Sequence, residues 1–468
     1  MTGSIESLAD YGATNEEAQV ANERYSQSGT FFDHGLSIRE PEGKTIVSRI
    51  QPLIERVERR IRALKPSDRC NRDELLRRVA ANALSCSHHR SPSRVAYHRQ
   101  HGAYSDAPPW LNGRALGSLI DLLSDAGLLD AQVGFSIASN QKGRASTFEM
   151  TKAFEVVAFE SGVSAQSLLY ERPRNSLVML RTGKGDERED VLFQPNHQTE
   201  MWADQLVAIN SFIAAQDISI APNSDELEHW LEKLNETGNR AGMLFVRPEL
   251  FRTGLFRSFT TQSKDHISFA EGGRLYGPWW TNAPRDIRKT VQINGKPTVE
   301  LDYSSLHLRM LYHETGLKAE SDLYRLDQLE KLAHKHGLEE KAYRPWVKRH
   351  TQALINCSPA GRPHTCKLEE NEFGPSELSR KELVSLIEAK HQPIADTFKS
   401  GAGLRLQRID SDIALEITSA LMGEGIVVLP IHDSFVVQSD HETRLCTAMK
   451  EAYFDRLSFY PDITKKDG

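Results

Sequence analysis

The feature that most constrains the fold of this chain is an apolar stretch late in the sequence that is interrupted by three polar residues. Residues 426–431 read Ile-Val-Val-Leu-Pro-Ile, residues 435–437 read Phe-Val-Val, and His432, Asp433 and Ser434 lie between them. Apolar and β-branched runs on both sides of a short polar break are typical of a β-hairpin. The sequence therefore predicts a hairpin that carries the carboxylate of Asp433 at its tip.

A second segment places another carboxylate at the end of a predicted strand. Residues 297–305 form a short strand pattern that passes through Asp302, and the apolar residues 306–312 follow with helical spacing. Ser304 or Ser305 is in position to cap this helix. The sequence thus predicts that Asp302 lies at a strand-to-helix turn.

The two carboxylates together indicate a site for hard divalent cations. Mg²⁺ takes oxygen ligands and is usually shared with substrate phosphates. If Asp302 and Asp433 converge in the fold, they form the constellation of two-metal phosphoryl transfer. Each residue also has a plain structural interpretation, since an aspartate after a strand is most often a turn or cap residue.

These segments resemble the palm motifs shared by family A DNA polymerases and phage-type single-subunit RNA polymerases. Residues 302–309, Asp-Tyr-Ser-Ser-Leu-His-Leu-Arg, resemble motif A of the DNA polymerases, and residues 431–435, Ile-His-Asp-Ser-Phe, resemble motif C in its RNA-polymerase form. Between them, Arg344 and Lys348 are similar in spacing to the basic residues of motif B on the fingers helix. The resemblance begins at about Arg274 and has the motifs in family order.

The resemblance implies a nucleotidyltransferase and a role for each matching residue. Asp302 and Asp433 would be the catalytic carboxylates, and they would hold two Mg²⁺ ions, or Mn²⁺, together with the backbone carbonyl of Tyr303. Arg344 and Lys348 would neutralise the triphosphate of a bound nucleotide, although cations at this helical spacing are more often a solvated surface.

Further residues are expected beside the nucleotide or the nucleic acid. His307 and Asn356 correspond to positions that face the nucleotide in the family. Residues 272–280 are rich in glycine and tryptophan and predict a tight loop that carries Arg274. Contacts with primer or template are expected from Arg274 and His432, and from two residues that resemble the helix ahead of motif C, Gln407 and Asp412.

The chain departs from the family pattern in three places. His307 stands where the DNA polymerases carry a glutamate that excludes the ribose 2′-hydroxyl and the RNA polymerases carry a small residue, and its bulk favours deoxynucleotides. Asn356 and Cys357 replace the aromatic–glycine pair that stacks on the nascent base pair, which leaves fidelity and templating open. Pro345 suits the first turn of a helix and would put Arg344 at the cap.

The chain ahead of the palm shows a winged-helix-like pattern. An amphipathic helix that starts at Gly113 is followed by strand-like residues 133–137, a basic turn with Lys142 and Arg144, and a second strand-like run at residues 147–151. In a winged helix the helix enters a groove and the turn contacts the nucleic-acid backbone, but many such domains bind protein or serve as scaffold. Lys142 and Arg144 are therefore expected nucleic-acid contacts.

The expected fold class is α+β: a right-hand polymerase palm with compact helical fingers, preceded by a mainly helical, winged-helix-like region. The predicted divisions are a flexible tail (1–40), the winged-helix-like domain (41–165), a helical or mixed, thumb-like connecting region (166–240), and the palm and fingers (241–468).

Charge and hydropathy restrict the partners. A net charge of −6 over 468 residues argues against a uniformly basic surface for nucleic acid, but not against a basic cleft. No apolar run is long enough to span a bilayer, and the N-terminus lacks the apolar core of a signal peptide. We expect a cytoplasmic protein that does not bind membranes.

The leading functional hypothesis is a DNA polymerase that acts in replication of DNA or of a mobile element. It would lack proofreading, because no acidic motif set of an exonuclease precedes the palm. Its partners would be nucleoside triphosphates and a DNA primer–template, with RNA as the alternative. An RNA polymerase or primase of the single-subunit type stays open, because motif C has the RNA-polymerase form. From another class, a catalytically inactive DNA-binding replication initiator or regulator also stays open.

Overall fold

The chain folds as a mixed α/β protein with two compact units. The computed structural model describes residues 30–59, 63–87, 94–100, 104, 110–135, 145–164, 167–183, 188–221, 253–357 and 375–466. The first unit runs to Pro173, and the second comprises Arg174–Pro222 together with Leu255–Gly468. Among the described helices, none combines the length and the apolar character that crossing a membrane requires.

The first unit packs amphipathic helices against a small sheet. Its elements are β1 (Thr30–Phe31), β2 (Leu36–Ile38), α1 (Glu42–Val57), α2 (Pro66–Ser87), β3 (Val95–Tyr97), α3 (Gly113–Asp125), β4 (Leu129–Gln132), β5 (Ser146–Met150), α4 (Lys152–Glu160) and β6 (Leu168–Tyr170). The sheet has the order β1-β3-β5-β4, with β1 and β3 parallel and the other neighbours antiparallel, and β2 pairs separately with β6.

Residues 30–40 are ordered, although the sequence assigns them to a flexible tail. Leu36 and Ile38 are buried, and Ile38 pairs with Leu168 across β2 and β6. The expectation of a flexible tail up to residue 40 is therefore wrong for residues 30–40. A few buried apolar side chains order this segment, and they are hidden in the average composition of the polar tail. Residues 1–29 lie outside the described residues.

The helix of the winged-helix-like pattern is present, and it is not basic. Asn112 caps α3, because its Oδ1 accepts a hydrogen bond from Ala115 N over 2.9 Å. On the exposed side of α3, the charge of Arg114 is offset by that of Asp125. Insertion of this helix into a groove of nucleic acid thus has no support from its charge.

The hairpin that follows α3 is also present, with its first strand shifted. β4 begins at Leu129 and pairs antiparallel with β5, whereas the sequence placed this strand at residues 133–137. The prediction was wrong because Leu129 is buried while the apolar Val133 is 69% exposed, which sequence alone does not distinguish. The turn with Lys142 and Arg144 lies outside the described residues.

The second unit contains the two sheets that position the candidate site. Its strands are β7 (Val178–Thr182), β8 (Glu189–Asp190), β9 (Ile218–Ile220), β10 (Phe256–Thr260), β11 (Glu271–Tyr276), β12 (Val291–Ile293), β13 (Lys296–Tyr303), β14 (Leu429–Ile431), β15 (Ser434–Gln438) and β16 (Ile463–Lys465). Its helices are α5 (His197–Ala214), α6 (Arg285–Arg288), α7 (Leu306–Glu314), α8 (Asp327–Lys335), α9 (Arg344–Asn356), α10 (Arg380–Lys390), α11 (Ala402–Gly423) and α12 (Glu442–Leu457).

The central sheet confirms the predicted hairpin and the predicted strand. Its order is β14-β15-β13-β12-β9, and β16 also pairs with β13. Ile431 and Ser434 close the β14–β15 hairpin, and Asp302 of β13 lies opposite Ser434. Strand β9, from the region that the sequence assigned to a connecting segment, joins this sheet through β12.

The turn from β13 into α7 differs from the expected cap. Ser305 is the cap residue, but it has a φ of 54° and its side chain makes no capping hydrogen bond. Its side chain is used elsewhere, in a hydrogen bond with Tyr324. The expectation that a serine side chain caps α7 is therefore wrong for Ser305.

The second sheet has the order β11-β10-β7-β8. It includes residues for which the sequence predicts a tight loop at 272–280, so that prediction is wrong in part. Residues 272–276 belong to β11, where Gly272 and Gly273 have φ values of 75° and 82° beside a register shift against β10. A Cβ on Gly273 would lie 2.6 Å from the Phe259 ring. The glycines thus form a bulged strand, which re-aims the side chain that follows.

Candidate active site

Asp302 and Asp433 lie side by side where two neighbouring strands of the central sheet meet. Asp302 is close to the end of β13, opposite Ser434, and Asp433 directly precedes Ser434 in the hairpin loop. The backbone N–H of Tyr303 donates to the carbonyl of Asp433 over 3.1 Å. The sheet itself therefore brings the two carboxylates together.

The electrostatics of Asp302 reflect this proximity. Burial raises the pKa of Asp302 to about 6, and the negative charge of Asp433 adds to the shift. Lys466 Nζ opposes it, at 3.2 Å from Asp302 Oδ1 and 2.9 Å from Glu300 Oε1. Two carboxylates in such surroundings form a site that a bound cation stabilises.

The donor set fits Mg²⁺ that is shared with a substrate. Within the described ranges, no group of three or more Asp, Glu, His or Cys side chains is placed to hold a metal ion. Mg²⁺ is often held by one or two carboxylates plus substrate phosphates, and Asp302 and Asp433 supply the protein's share. The Tyr303 hydroxyl donates to the Met449 carbonyl over 2.5 Å in the core, so any contribution of Tyr303 comes from its backbone carbonyl.

The hairpin loop holds His432 in a strained conformation. His432 has a φ of 57°, a region that costs most residues about 1–3 kcal/mol. Its ring lies edge-on to Tyr276, with 5.5 Å between the centroids, and burial lowers its pKa. His432 is not among the residues that line the cavity beside Asp433, so its predicted contact with nucleic acid has no support from its position.

The two carboxylates face a cavity of about 480 Å³. Of the residues predicted from the sequence, those that line it are Arg274, Asp302, Tyr303, His307, Arg344, Lys348, Asn356, Gln407 and Asp433. The structure thus brings together side chains from two sheets and three helices that are distant in sequence.

One face of α9 forms the wall that carries positive charge. Arg344, Lys348, Gln352 and Asn356 are spaced four residues apart, and all line the cavity. Tyr343 is the cap of α9, and Arg344 is its first residue. The expectation that Arg344 caps the helix is therefore wrong by one position.

The two cations of this face differ in their partners. Arg344 Nε lies 2.9 Å from Asp322 Oδ2, and although burial opposes the shift, this hydrogen bond lowers the pKa of Asp322. Lys348 is exposed and makes no ion pair with any described residue. Lys348 can thus meet a phosphate without breaking an ion pair to a described residue, whereas Arg344 also serves Asp322.

A buried carboxylate that was not predicted from the sequence, Asp410, organises the part of the cavity wall formed by His307 and Arg274. Asp410 is 2% exposed, and its Oδ2 lies 2.7 Å from His307 Nε2 and 2.7 Å from Arg274 Nη2. Because the pairing spans α11, α7 and β11, it restrains both the imidazole and the guanidinium at the cavity.

Asp412 does not line the cavity, so its expected contact with nucleic acid stays a prediction. Its Oδ1 lies 2.9 Å from Arg257, whose side chain is fully buried, and it also pairs with Arg408. Gln407 and Asp410 share one face of α11 at a spacing of three residues, and Asp412 lies on another. Asp410 lies three residues after Gln407, and this helical spacing is the sequence signal from which Asp410 could have been predicted.

Comparisons with known proteins add little to this geometry. No family model matches the chain, and no curated protein is similar to it. Among solved structures, the chain is similar to the POL domain of Pol1 from M. smegmatis in complex with DNA primer-template and dNTP, at 14% sequence identity and a TM-score of 0.29. The match covers 56% of this chain and 62% of that one, so the chain spans less than two thirds of that domain. A likeness at this level leaves the function to be argued from the site.

Proposed function

We propose that this chain is a nucleotidyltransferase that extends a nucleic-acid 3′-hydroxyl with nucleotides. The observation that carries the proposal is one cavity in which Asp302 and Asp433 meet the cationic face of α9. Two adjacent carboxylates suit divalent cations, and Arg344 and Lys348 suit a triphosphate. At about 480 Å³, the cavity has the size expected for a bound small molecule.

In the proposed reaction, the 3′-hydroxyl gives up its proton to water, its oxygen bonds to the α-phosphorus of a nucleoside triphosphate, and the bond from that phosphorus to the leaving pyrophosphate breaks. Asp302 and Asp433 hold Mg²⁺ or Mn²⁺, and two such ions supply charge neutralisation at the attacking and leaving oxygens when bound. Lys348 and Arg344 compensate the charge of the triphosphate, and Asn356 lies one helical turn beyond Gln352 on the same wall.

The proposed substrate is a deoxynucleotide, which makes the enzyme a DNA polymerase. The proposal includes no proofreading activity. His307 is 7% exposed, and Asp410 restrains its ring at the cavity wall. A fixed imidazole occupies the space in which a ribose 2′-hydroxyl would lie if the nucleotide binds as in the family that the sequence resembles.

The nucleic acid is proposed to lie on the side of Arg274 and Gln407. Gln407 also lines a second cavity of about 460 Å³, which includes Ser258, Thr260 and Arg188. Hydroxyls and an arginine suit contacts with a sugar–phosphate backbone. The two cavities share Gln407, which would therefore lie between the nucleotide and the strand.

The test is extension of a labelled primer on DNA and RNA templates with Mg²⁺, with dNTPs and NTPs compared. We expect DNA product with dNTPs, and its loss in Asp433→Ala. Asp440→Ala is the matched control, because Asp440 is exposed and pairs with Lys296 at the surface. If folded wild-type protein binds duplex DNA and gives no product on any template, the initiator hypothesis replaces this one, whereas product from NTPs alone indicates an RNA polymerase.

The hairpin that follows α3 in the first unit is proposed to recruit the enzyme to DNA, including the DNA of a mobile element. Lys142 and Arg144 of the turn would supply the contacts with the backbone. We expect the double substitution Lys142→Ala and Arg144→Ala to weaken binding to duplex DNA in a filter assay and to leave the rate of nucleotide incorporation at saturating DNA unchanged. Unaltered DNA binding would make this unit scaffold or a protein-binding module.

A further inference from the structure

Tyr324, which lies outside the three motifs, contacts the cationic face of α9 from the cavity wall. Its side chain is 1% exposed. The guanidinium carbon of Arg344 lies 5.2 Å from the ring centroid, and Lys348 Nζ lies 6.0 Å from it. A cation within about 6 Å of an aromatic face is attracted by the ring quadrupole. The ring therefore lies where the two cations of α9 converge.

The hydroxyl of Tyr324 connects α9 to the turn that follows Asp302. Gln352 Nε2 donates to this hydroxyl over 3.2 Å, and the Ser305 side chain shares a hydrogen bond with it. Ser305 is the cap of α7, three residues after Asp302. Burial raises the pKa of Tyr324.

The segment that carries Tyr324 is itself tied to α9. Asp322 Oδ1 accepts a hydrogen bond from Tyr324 N over 3.0 Å, while Asp322 Oδ2 accepts one from Arg344 Nε over 2.9 Å. One carboxylate thus holds both the backbone of the tyrosine and the side chain that stacks on it. These contacts use Nε of Arg344, so Asp322 leaves the two terminal nitrogens of the guanidinium to a phosphate.

We propose that Tyr324 is a positioning residue of the nucleotide site, an inference that rests on the proposed function. Its ring directs Arg344 and Lys348 towards the cavity, and its hydroxyl couples α9 to the turn that carries Asp302. The ring then governs binding of the triphosphate, and the hydroxyl governs turnover.

The role of the ring is tested by binding of dATP and dAMP to the full chain with Mg²⁺, measured by calorimetry. Because the cations act on the triphosphate, Tyr324→Met weakens dATP binding by about tenfold and changes dAMP binding by less than about twofold. Tyr324→Phe keeps the ring and binds dATP within about twofold of wild type. Tyr343→Met is the matched control, because Tyr343 is also buried, lies beside α9 with its hydroxyl 2.9 Å from His336 Nδ1, and does not line the cavity.

The role of the hydroxyl is tested by steady-state primer extension. Tyr324→Phe and Gln352→Ala each break the link between α9 and the turn, so both lower kcat by about tenfold while KM for dATP stays near that of wild type. A loss of packing alone would not separate kcat from KM in this way.

The outcomes separate the inference from the proposed function. Wild-type protein that binds neither dATP nor dAMP overturns both. Wild-type affinity for dATP in Tyr324→Met, or equal losses for dATP and dAMP, overturns the inference alone. If Tyr324→Met does not fold, Gln352→Ala provides the test, because Gln352 lies on a partly exposed face of the helix. A wild-type kcat in that variant contradicts the coupling between α9 and the turn.

Discussion

At the scale of single residues, the site contains a buried carboxylate and a strained backbone conformation, and both are energetically unfavourable. Asp302 has a raised pKa because it is buried beside Asp433, and His432 holds the loop in a positive-φ conformation. Both features cost folding free energy, and strain of this kind persists where the surrounding structure imposes it. The central sheet imposes it here, since β13 and β15 fix both residues.

Asp302→Asn should stabilise the metal-free protein and remove its activity. The neutral amide avoids an ionised buried group, which adds about 1–3 kcal/mol to the free energy of unfolding at pH 7.5, since one pKa unit corresponds to about 1.4 kcal/mol. Incorporation should fall more than about 100-fold, because even outer partners of metal ligands are worth about 10–100-fold. Urea unfolding and primer extension measure the two effects. A lower free energy of unfolding in the variant would contradict the claim that the ionised Asp302 destabilises the metal-free protein.

Asp410→Asn should loosen the wall formed by His307 and Arg274. Loss of the charge weakens hydrogen bonds to charged groups, each worth about 1.5–3 kcal/mol, and the stability should fall by a similar amount. Because the imidazole is then less restrained, discrimination between dNTPs and NTPs should also decrease. Competition between dATP and ATP in primer extension measures this discrimination. Unchanged discrimination in the variant would mean that Asp410 plays no part in the selection of the sugar.

At the scale of elements, β11 shows how a glycine pair shapes the cavity. The bulge at Gly272 and Gly273 directly precedes Arg274, which reaches Asp410 and the cavity. A regular strand would alternate its side chains differently and turn Arg274 away. The bulge therefore belongs to the construction of the site.

Gly273→Ala should destabilise the fold more than a matched glycine substitution. The left-handed region costs about 1–2 kcal/mol for alanine, and the contact with the Phe259 ring adds to it. Gly295→Ala is the control, because Gly295 has a φ of 73° and open space around its Cβ position. The free energies of unfolding in urea should differ by at least about 1 kcal/mol; equal values would mean that the ring moves aside freely.

At the scale of the whole molecule, pH and metal binding should be linked through Asp302. Its folded pKa of about 6 lies above its ordinary value of 3.8, so its stabilising contribution is complete below pH 3.8 and is lost as the pH rises through 6. Mg²⁺ binds the ionised form and should restore that loss.

The increase in Tm on adding Mg²⁺ should therefore be larger at pH 7.5 than at pH 5. Differential scanning fluorimetry with Mg²⁺ and with a matched ionic strength of NaCl measures the difference. Asp302→Asn should remove the dependence on pH. Equal stabilisation of the wild-type protein at both pH values would contradict binding at this carboxylate.

The local elements of the site follow from the sequence by itself. Apolar runs on both sides of a polar break define the hairpin at Asp433, and spacing by four residues defines the cavity face of α9, because these patterns are local to a hairpin and to a helix. The tertiary structure alone decided which side chains meet: Asp410 rather than Asp412, Lys466 beside Asp302, and Tyr324 beneath Arg344 and Lys348. These contacts join segments that are distant in sequence, and their energies depend on burial and on partners that no local pattern encodes. The same reason explains the misplaced strand at residues 133–137 and the loop that became β11.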